Sequence, residues 1–348
     1  MAMVHRFPAL NRPEAPLVSV CIANFNGIEV LHDCIDSVLA QQGQAMVEIL
    51  VHDDASTDGS VAWIRSRYPQ VELLASEANV GFCVANNRLV ADARGAYVLL
   101  LNNDAALFPD ALAVLLQEAS GSPTPGILTL PQYDWDSGAL VDRGCLLDPF
   151  HNPVPNLSAT RTDVAMVIGA CMFMSRDLWH EIGGFPEWFG SIAEDMYACC
   201  VARLRGHPVR ALLFSGYRHR QGASFGGNRV DQGKLRTTYR RRALSERNKT
   251  AVLAICTPGV LAWPMLALHC ASLLVEGVVL SLLKRDWRLW RDVYRNALRE
   301  VVLQRAWRDH RRRIQSVRHV GVRDYLRPFV AMPRKLVMLA RHGMPTVR

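Results

Sequence analysis

Three acidic stretches lie far apart in the chain: Asp53-Asp54, Asn102-Asn103-Asp104 and Glu194-Asp195. Small polar and acidic side chains of these types can hold a cation, grip a polar ligand or take a proton. What each one does depends on the element that ends beside it. The run Tyr97–Leu101 is continuously apolar and stops abruptly at Asn102, the pattern of a strand buried on both faces of a parallel sheet. Pro109 and Asp110 then open a helical pattern through Ala111–Leu116, with proline and an acid where helices start. Asn102, Asn103 and Asp104 therefore belong at the carboxyl end of a central strand, the edge at which open α/β sheets bind ligands. A carboxylate there suits a hard divalent cation carrying phosphate oxygens. Asn and Asp are equally at home in a plain strand-to-helix turn, so this stretch alone leaves both readings open.

The preceding elements supply context. Leu17–Ala23 reads as a first strand stopped by Asn24-Phe25-Asn26-Gly27, and helical spacing follows in Val30, Leu31, Cys34, Ile35, Val38 and Leu39. Val47–Val51 is a second strand running into His52-Asp53-Asp54-Ala55-Ser56-Thr57-Asp58-Gly59. Ser56 or Thr57 can cap the helix beginning near Gly59. Val71–Leu74 is a third strand, and Asn79-Val80-Gly81-Phe82 leads into a helix reaching Val90. Strand and helix alternating at this rhythm predict an α/β fold with a mostly parallel sheet and right-handed crossovers. Asp53-Asp54 and Asp104 then share one edge of one sheet. Neither G-x-G-x-x-G after the first strand nor G-x-x-x-x-G-K-[ST] is present. A nucleotide bound here is held by carboxylates, asparagines and metal, without a glycine cradle.

Four motifs in order, Val18–Asn26, Asp53–Ser60, Asn79–Phe82 and Leu101–Asp104, resemble the N-terminal half of family 2 glycosyltransferases. These are inverting enzymes of the A-type glycosyltransferase fold, and the similarity is greatest to the rhamnosyltransferase-like branch. It covers roughly residues 17–250. The resemblance implies that Asp54, with Asp53, meets the base and ribose of a nucleotide-sugar. It implies that Ala23, Phe25 and Asn26 line the base pocket, and that Asn79, Gly81 and Phe82 belong to the same donor site. Asp104 would be the metal-binding aspartate of a D-x-D-type motif, with Asn102 at its first position and Asn103 between. Only Asp104 brings charge, so Mg²⁺ or Mn²⁺ would be held largely by the donor diphosphate itself.

Farther on, Val164–Met174 reads as a buried strand whose Gly169-Ala170 allow close approach of a sugar or simply pack. Asp142-Arg143-Gly144 and the proline-rich segment 149–155 read as a long loop over the active edge. Glu194-Asp195 opens a helix with Tyr197, Val201 and Leu204 on one face. Acids at a helix start are ordinary dipole partners. By the resemblance, with Gly183-Gly184-Phe185 before and Arg203-x-x-Gly206 after, Asp195 is the catalytic base and Glu194 a positioning or acceptor-binding partner. Pro186-Glu187 departs from the D-E usual after that phenylalanine. His219, after a strand over 209–214, resembles the late histidine that completes a metal or diphosphate site; imidazole is also a common core residue. Arg240-Arg241-Arg242 and Glu246-Arg247-Asn248 resemble a stretch offering donor-phosphate or lipid contacts, and read equally as a solvated basic face.

The chemistry needs few parts. A carboxylate takes the proton of an attacking hydroxyl, and cations stabilise the departing diphosphate. One base without a nucleophile implies single displacement with inversion. A two-carboxylate hydrolase leaves Asp53-Asp54 unexplained.

At 348 residues, half hydrophobic, the chain is globular, with formal net charge +8 concentrated after Lys284. Its nine cysteines show no C-x-x-C spacing, and buried reduced thiols of a cytosolic protein are expected. Met1–Pro16 has no continuous apolar core of a signal peptide. Residues 1–250 are expected to form the catalytic domain and 251–348 a basic helical region. Ala251–Leu283 is long and apolar but holds Pro258, Pro264 and Glu276. An unpaired acid in hydrocarbon is costly, so two interfacial helices are preferred to a full span. Tryptophans 263, 287, 290 and 307 and the arginines beyond suit an anionic membrane surface; no nucleic-acid module frames them.

The reading is a metal-dependent inverting glycosyltransferase on the cytoplasmic face of the inner membrane. Its donor would be a nucleoside diphosphate sugar (dTDP-rhamnose or a UDP-hexose), its acceptor a saccharide or lipid-linked saccharide. A catalytically silent scaffold of the same fold and a nucleotidyltransferase are the alternatives.

Overall fold

The computed structural model describes residues 2–221, 229–231, 234–303, 306–344 and 346–347. The chain divides into two compact units. The first holds residues up to Gly144, Pro155–Ala198 and His207–Gln221. The second holds Cys145–Val154, Cys199–Gly206 and the described residues from 229 onward. Residues 234–250 and the loop 145–154, grouped by composition with the N-terminal part, thus fall in the second unit.

The first unit is built on an eight-stranded sheet. Strands β1 (Val4–Phe7), β2 (Val18–Asn24), β3 (Val47–Asp53), β4 (Val71–Ser76) and β5 (Tyr97–Asn102) precede a short β6 (Ala105–Leu107). Then come β7 (Ile127–Thr129), β8 (Gln132–Asp134), β9 (Leu140–Asp142), β10 (Cys145–Leu147), β11 (Pro153–Pro155), β12 (Cys171–Ser175), β13 (Val209–Ala211) and β14 (Tyr217–His219). The sheet order is β1-β4-β3-β2-β5-β12-β7-β13. The four strands β4, β3, β2 and β5 run parallel, joined through α1 (Ile28–Leu39), α2 (Ser60–Arg67) and α3 (Phe82–Asp92). Val98–Leu101 of β5 are buried, as a strand covered on both faces must be. In this register Ala23 pairs with Asn102 and Asn24 with Asp53, so β2, β3 and β5 end level. β12 runs antiparallel to β5, pairing Cys171 with Leu101, which brings the residues before it to that same edge.

Some local expectations are corrected. Only Cys171–Ser175 of the expected strand 164–174 is a strand; Val164–Ala170 is buried but irregular. The strand expected over 209–214 stops at Ala211. Neither Ser56 nor Thr57 caps α2: its N-cap is Gly59, at φ +88°, and Asp58 accepts from Ser60 N at 3.0 Å. Edge strand β1 was not foreseen, because Val4–Phe7 is short and half polar and buries none of its residues fully. A second sheet, β6-β14-β8-β9, pairs His219 with Ala105.

After α4 (Ala111–Gly121) and α5 (Arg176–Ile182), α6 (Glu194–Leu204) gives its first residues to the first unit and Cys199 onward to the second. The second unit contains α7 (Tyr239–Cys256), α8 (Ala262–Lys284), α9 (Arg295–Leu303), α10 (Ala306–Ser316), α11 (Val322–Leu326) and α12 (Arg334–His342). The apolar stretch expected to form two helices gives one continuous α8 after the end of α7. The chain breaks at Thr257-Pro258, and Pro264 sits in the first turn of α8, where its missing N–H removes no helical bond. Glu276, expected as an unpaired acid, accepts from Arg242 at 2.7 Å and Lys335 at 2.6 Å. Segment Gly259–Lys284 is long and apolar enough to cross a membrane. All nine cysteines are free and eight are buried.

Candidate active site

The level ends of β2, β3 and β5 are locked by one asparagine. Buried Asn24 donates to Asp53 Oδ2 at 2.9 Å and accepts from Asn103 Nδ2 at 2.8 Å. Gly27 makes room for this pair: a Cβ there would overlap the Asn103 and Asn24 amide groups. Asp53 also accepts from Ser56 N at 2.9 Å. Asn26, in the left-handed region at φ 48°, accepts from Thr57 N at 2.8 Å, while its own N–H donates to Ser56 Oγ. Asn26 and Asp53 thus brace the two loops. Phe25 is half exposed.

Asp54 is buried and grips the next motif. Its two oxygens accept from Val80 N at 2.7 Å and Gly81 N at 2.9 Å. Burial raises its pKa against the pull of those two N–H groups. Gly81, at φ 88°, allows the close turn, and an added Cβ would lie 3.2 Å from Gly190 O. Gly190 O in turn accepts from Cys83 N at 3.0 Å. Phe82 and the loop before α6 are thereby brought together, and Asn79 stays exposed at the rim.

Asp195 sits at the first turn of α6, partly buried, with its partner Glu194 buried. Its Oδ2 accepts from Gly169 N at 3.1 Å and its Oδ1 from Met196 N at 2.7 Å. A Cβ on Gly169 would lie 3.7 Å from Asp195 Cβ and 3.9 Å from a Phe82 ring carbon, so these three residues surround one small space. The adjoining Ala170 O accepts from Asn102 N at 3.1 Å, tying Asp195 to the end of β5. Ile192 and Ala193, just before the acids, both have positive φ, 72° and 69°. For a β-branched residue this is strained backbone, of the kind that clusters where a side chain must be aimed.

Asp104 is 3% exposed and accepts from His219 Nε2 at 3.0 Å. The other ring nitrogen of His219 faces Gln132 Oε1 at 3.3 Å, and Tyr217 OH donates to that same oxygen. Asn102 Nδ2 is 3.5 Å from His219 Nε2, while Asn102 Oδ1 is buried with no hydrogen-bond partner. Asp104 O also accepts from Arg220 N, and the Arg220 guanidinium lies over the Trp135 ring at 3.6 Å. An orphaned acceptor beside a buried carboxylate and an imidazole is a donor set that fits a hard divalent cation. Among the described residues no cluster of three or more His, Cys, Asp or Glu is placed to hold an ion unaided, so phosphate oxygens would have to complete its shell. Nearby Asp142, on β9, is buried and pushed up to about 7 by loss of water, with the His219 charge acting weakly against this.

The sheet edge therefore gathers Asn102, Asn103, Asp104, Asp53, Asp54, Gly81, Phe82, Asp195 and His219. Asn24, Gln132 and Asp142 belong with them, although sequence reading gave them no role. Asn24 had a signal: it ends the first strand level with Asp53. Gln132 had none, since its strand is three residues long, and Asp142, expected in a loop over this edge, instead ends strand β9. The basic stretch 240–249 is used differently. Arg242 is buried, donating to Tyr294 OH at 2.9 Å and pairing with Glu276. Lys249 is buried between Asn152 and Glu246. These two cations serve the interior of the second unit. The turn Gly222-Ala223-Ser224 beyond His219 lies outside the described residues.

A profile described as "Glycosyl transferase family 2" matches residues 19–183. An uncharacterised glycosyltransferase of Mycobacterium tuberculosis is 30% identical over 197 residues, covering 56% of this chain and 72% of that protein. An N-acetylglucosaminyl-diphospho-decaprenol L-rhamnosyltransferase of the same organism is 29% identical over 180 residues, covering 43% of this chain and 59% of that one. The matching region spans only 24% of a Sinorhizobium fredii protein and 17% of a Pasteurella multocida chondroitin synthase. Among solved structures, a mannosyltransferase from Pyrobaculum calidifontis with GDP-mannose and Mn²⁺ aligns at TM-score 0.52 and 17% identity. That alignment covers 86% of this chain and 91% of that one. At such identity it speaks for the fold: a central sheet with helices in the A-type glycosyltransferase arrangement.

Proposed function

The chain belongs to glycosyl transferase family 2, and from that premise we propose that it moves a sugar from a nucleoside diphosphate donor to an acceptor hydroxyl with inversion. The observation that carries the reading is Asp195: partly buried, aimed by Gly169 N, and tied through Ala170 to the strand end that bears Asp104. A carboxylate so placed accepts the proton of an attacking hydroxyl. Buried Glu194, beside strained Ile192-Ala193, fixes the start of α6 and with it the direction of Asp195. Asp54 orders Val80-Gly81, shaping the wall on which the nucleotide and its sugar rest, with Ala23, Phe25 and Asn79 at the rim. Asp104, His219 and Asn102 would hold Mg²⁺ or Mn²⁺, which when bound neutralises charge on a diphosphate. Arg220 touches Asp104 only through its backbone; its guanidinium pairs with Asp33 at 2.7 Å.

Kinship supports the choice of donor and acceptor. The relative named as acting on a diphospho-decaprenol carrier supports dTDP-rhamnose or a UDP-hexose as donor and a lipid-linked saccharide as acceptor. The outward face of α8, apolar from Trp263 to Leu283, supports a place at a membrane surface. Its opposite face is occupied: Leu266, His269, Leu273, Gly277 and Leu280 are buried. That favours a helix lying in the interface over one that spans.

A donor screen reading nucleoside diphosphate release, with dTDP-rhamnose, UDP-glucose, UDP-galactose and GDP-mannose, tests this. Calorimetry of wild type and Asp104→Asn with the released diphosphate, with and without Mn²⁺, accompanies it. The expected result is release from one donor and Mn²⁺-linked binding that the variant loses. Binding without metal linkage and without turnover identifies a silent scaffold. Pyrophosphate release from a triphosphate identifies a nucleotidyltransferase.

A further inference from the structure

The second unit carries a cleft of about 490 Å³ at the start of α8, walled by Gly259, Val260, Trp263, Arg308, Arg311 and Arg318. Its cations are not alike. Arg312, at the cleft's edge, pairs with Asp309 at 3.0 Å. Arg311 is 9% exposed and donates to the carbonyls of Ala254, Thr257 and Gly259 at 2.7–2.8 Å, capping the end of α7. Those carbonyls satisfy its N–H groups without cancelling its charge. Burial lowers its pKa, and the Arg318 charge adds to the lowering. Arg308 lies over the Trp307 ring, and Arg318 reaches only Gln315 at 3.4 Å. Among the described residues no carboxylate pairs with Arg308, Arg311 or Arg318. Among the described residues three guanidinium groups thus line one opening with no carboxylate paired to them, beside the Arg312–Asp309 pair.

The surface next to that opening is apolar. Val260 is 83% and Leu268 62% exposed, and the face continues through Leu274, Val275, Val279, Leu282 and Leu283. From Trp263 to Leu283 this strip is about 30 Å long at helical rise. Trp263, half exposed and packed near Trp307 at 6.1 Å, stands where strip and cleft meet. An amphipathic ring suits the boundary between headgroup and acyl chain.

We propose that this cleft seats the phosphate of an anionic phospholipid headgroup while the outer face of α8 lies among the acyl chains beside it. Guanidinium groups match phosphate oxygens in charge and in donor geometry. Nucleic acid would answer the charge but leave the apolar strip in water. A phospholipid answers both with one molecule. The inference rests on the membrane-surface reading above and narrows it to three named cations.

The test is co-sedimentation of the full chain with phosphatidylcholine vesicles, with and without phosphatidylglycerol. Wild type is expected to bind the anionic vesicles more tightly. Arg308→Ala/Arg318→Ala should lower that partition on the order of 30-fold, from the usual contribution of a basic residue near an anionic surface, with no change in binding to neutral vesicles. Arg65→Ala/Arg67→Ala on α2 removes the same net charge elsewhere and should leave binding intact. An equal loss in that control, or no loss in the cleft variant, overturns the proposal. If wild type binds neither vesicle, the membrane reading itself falls, while donor turnover measured without lipid is untouched.

Discussion

The ligand edge of the first unit and the interior of the second both bury charge, and they do it in opposite ways; away from that edge the first unit also pairs its buried acids, Glu48 with Arg12 at 2.7 Å. In the second unit buried ions are cross-paired: Glu246 pairs with Lys249 at 3.3 Å and Lys335 at 2.8 Å, and Glu276 with Arg242 and Lys335. Burial opposes the charge on Glu246, yet the Lys249, Lys335 and Arg242 charges hold its carboxyl well below the usual range. In the first unit the carboxylates of Asp53, Asp54 and Asp104 are buried against backbone N–H groups, an asparagine and an imidazole. Negative charge there meets N–H dipoles and one imidazole, and no Lys or Arg takes part in those bonds. A cross-paired network holds helices together. A carboxylate edge with no Lys or Arg in its bonds keeps much of its field for something that arrives from outside.

That contrast can be broken by substitution. The largest effect is expected at Asp195→Asn, which keeps the shape and one of the two accepted hydrogen bonds but takes no proton. Sugar transfer should fall on the order of 10²–10⁴-fold, with the melting temperature unchanged. Turnover near wild type would remove Asp195 from the mechanism. Glu246→Gln is the mirror experiment. It leaves Lys249 and Lys335 buried without their acid and should destabilise the protein by about 3–5 kcal/mol in urea unfolding. A loss under about 1 kcal/mol, the range of exposed pairs, would mean the network is solvated and the two units differ less than their geometry implies.

His52 sharpens the picture with a third kind of buried group, a base kept neutral. It is fully buried, and loss of water with the nearby Arg88 charge pushes it down to about 4. The unfolded chain protonates this histidine near its ordinary value of 6.5. Its contribution to stability is therefore complete above about pH 6.5 and is lost as pH falls toward 4. Over that window it amounts to roughly 3 kcal/mol. His52→Gln should flatten the acid side of the stability profile between pH 7 and 4.5. An unchanged slope would show that His52 titrates normally in the fold.

Much of the first unit was legible in the sequence because its signals are local. A parallel strand covered on both faces must be continuously apolar, and Tyr97–Leu101 is; a strand end bearing polar residues must face the ligand edge, and Asn24, Asp53 and Asn102 do. Strand limits were less legible where close packing, with no repeating pattern, stops the ladder, as in Val164–Ala170. The second unit misled for a related reason. Proline in Ala251–Leu283 suggests a break, but only Pro258 falls at one, while Pro264 lies where a first turn tolerates it. An acid in an apolar run suggests a solvated or lipid-averse site, yet Glu276 is neutralised by Arg242 and Lys335, 34 and 59 residues away.

By itself the sequence determined the order of strands and helices, the parallel core, and which motifs would sit at strand ends, since periodicity and turn chemistry act over a few residues. Only the tertiary structure decided the company those motifs keep. His219 meets Asp104 across 115 residues because β14 pairs with β6, and Asp195 meets Gly169 because β12 enters the sheet against β5. Arg311 turns inward to cap α7 while Arg308, one turn earlier on the same helix, is exposed. Pairings of this kind are set by register and packing between distant segments, and no local pattern encodes them.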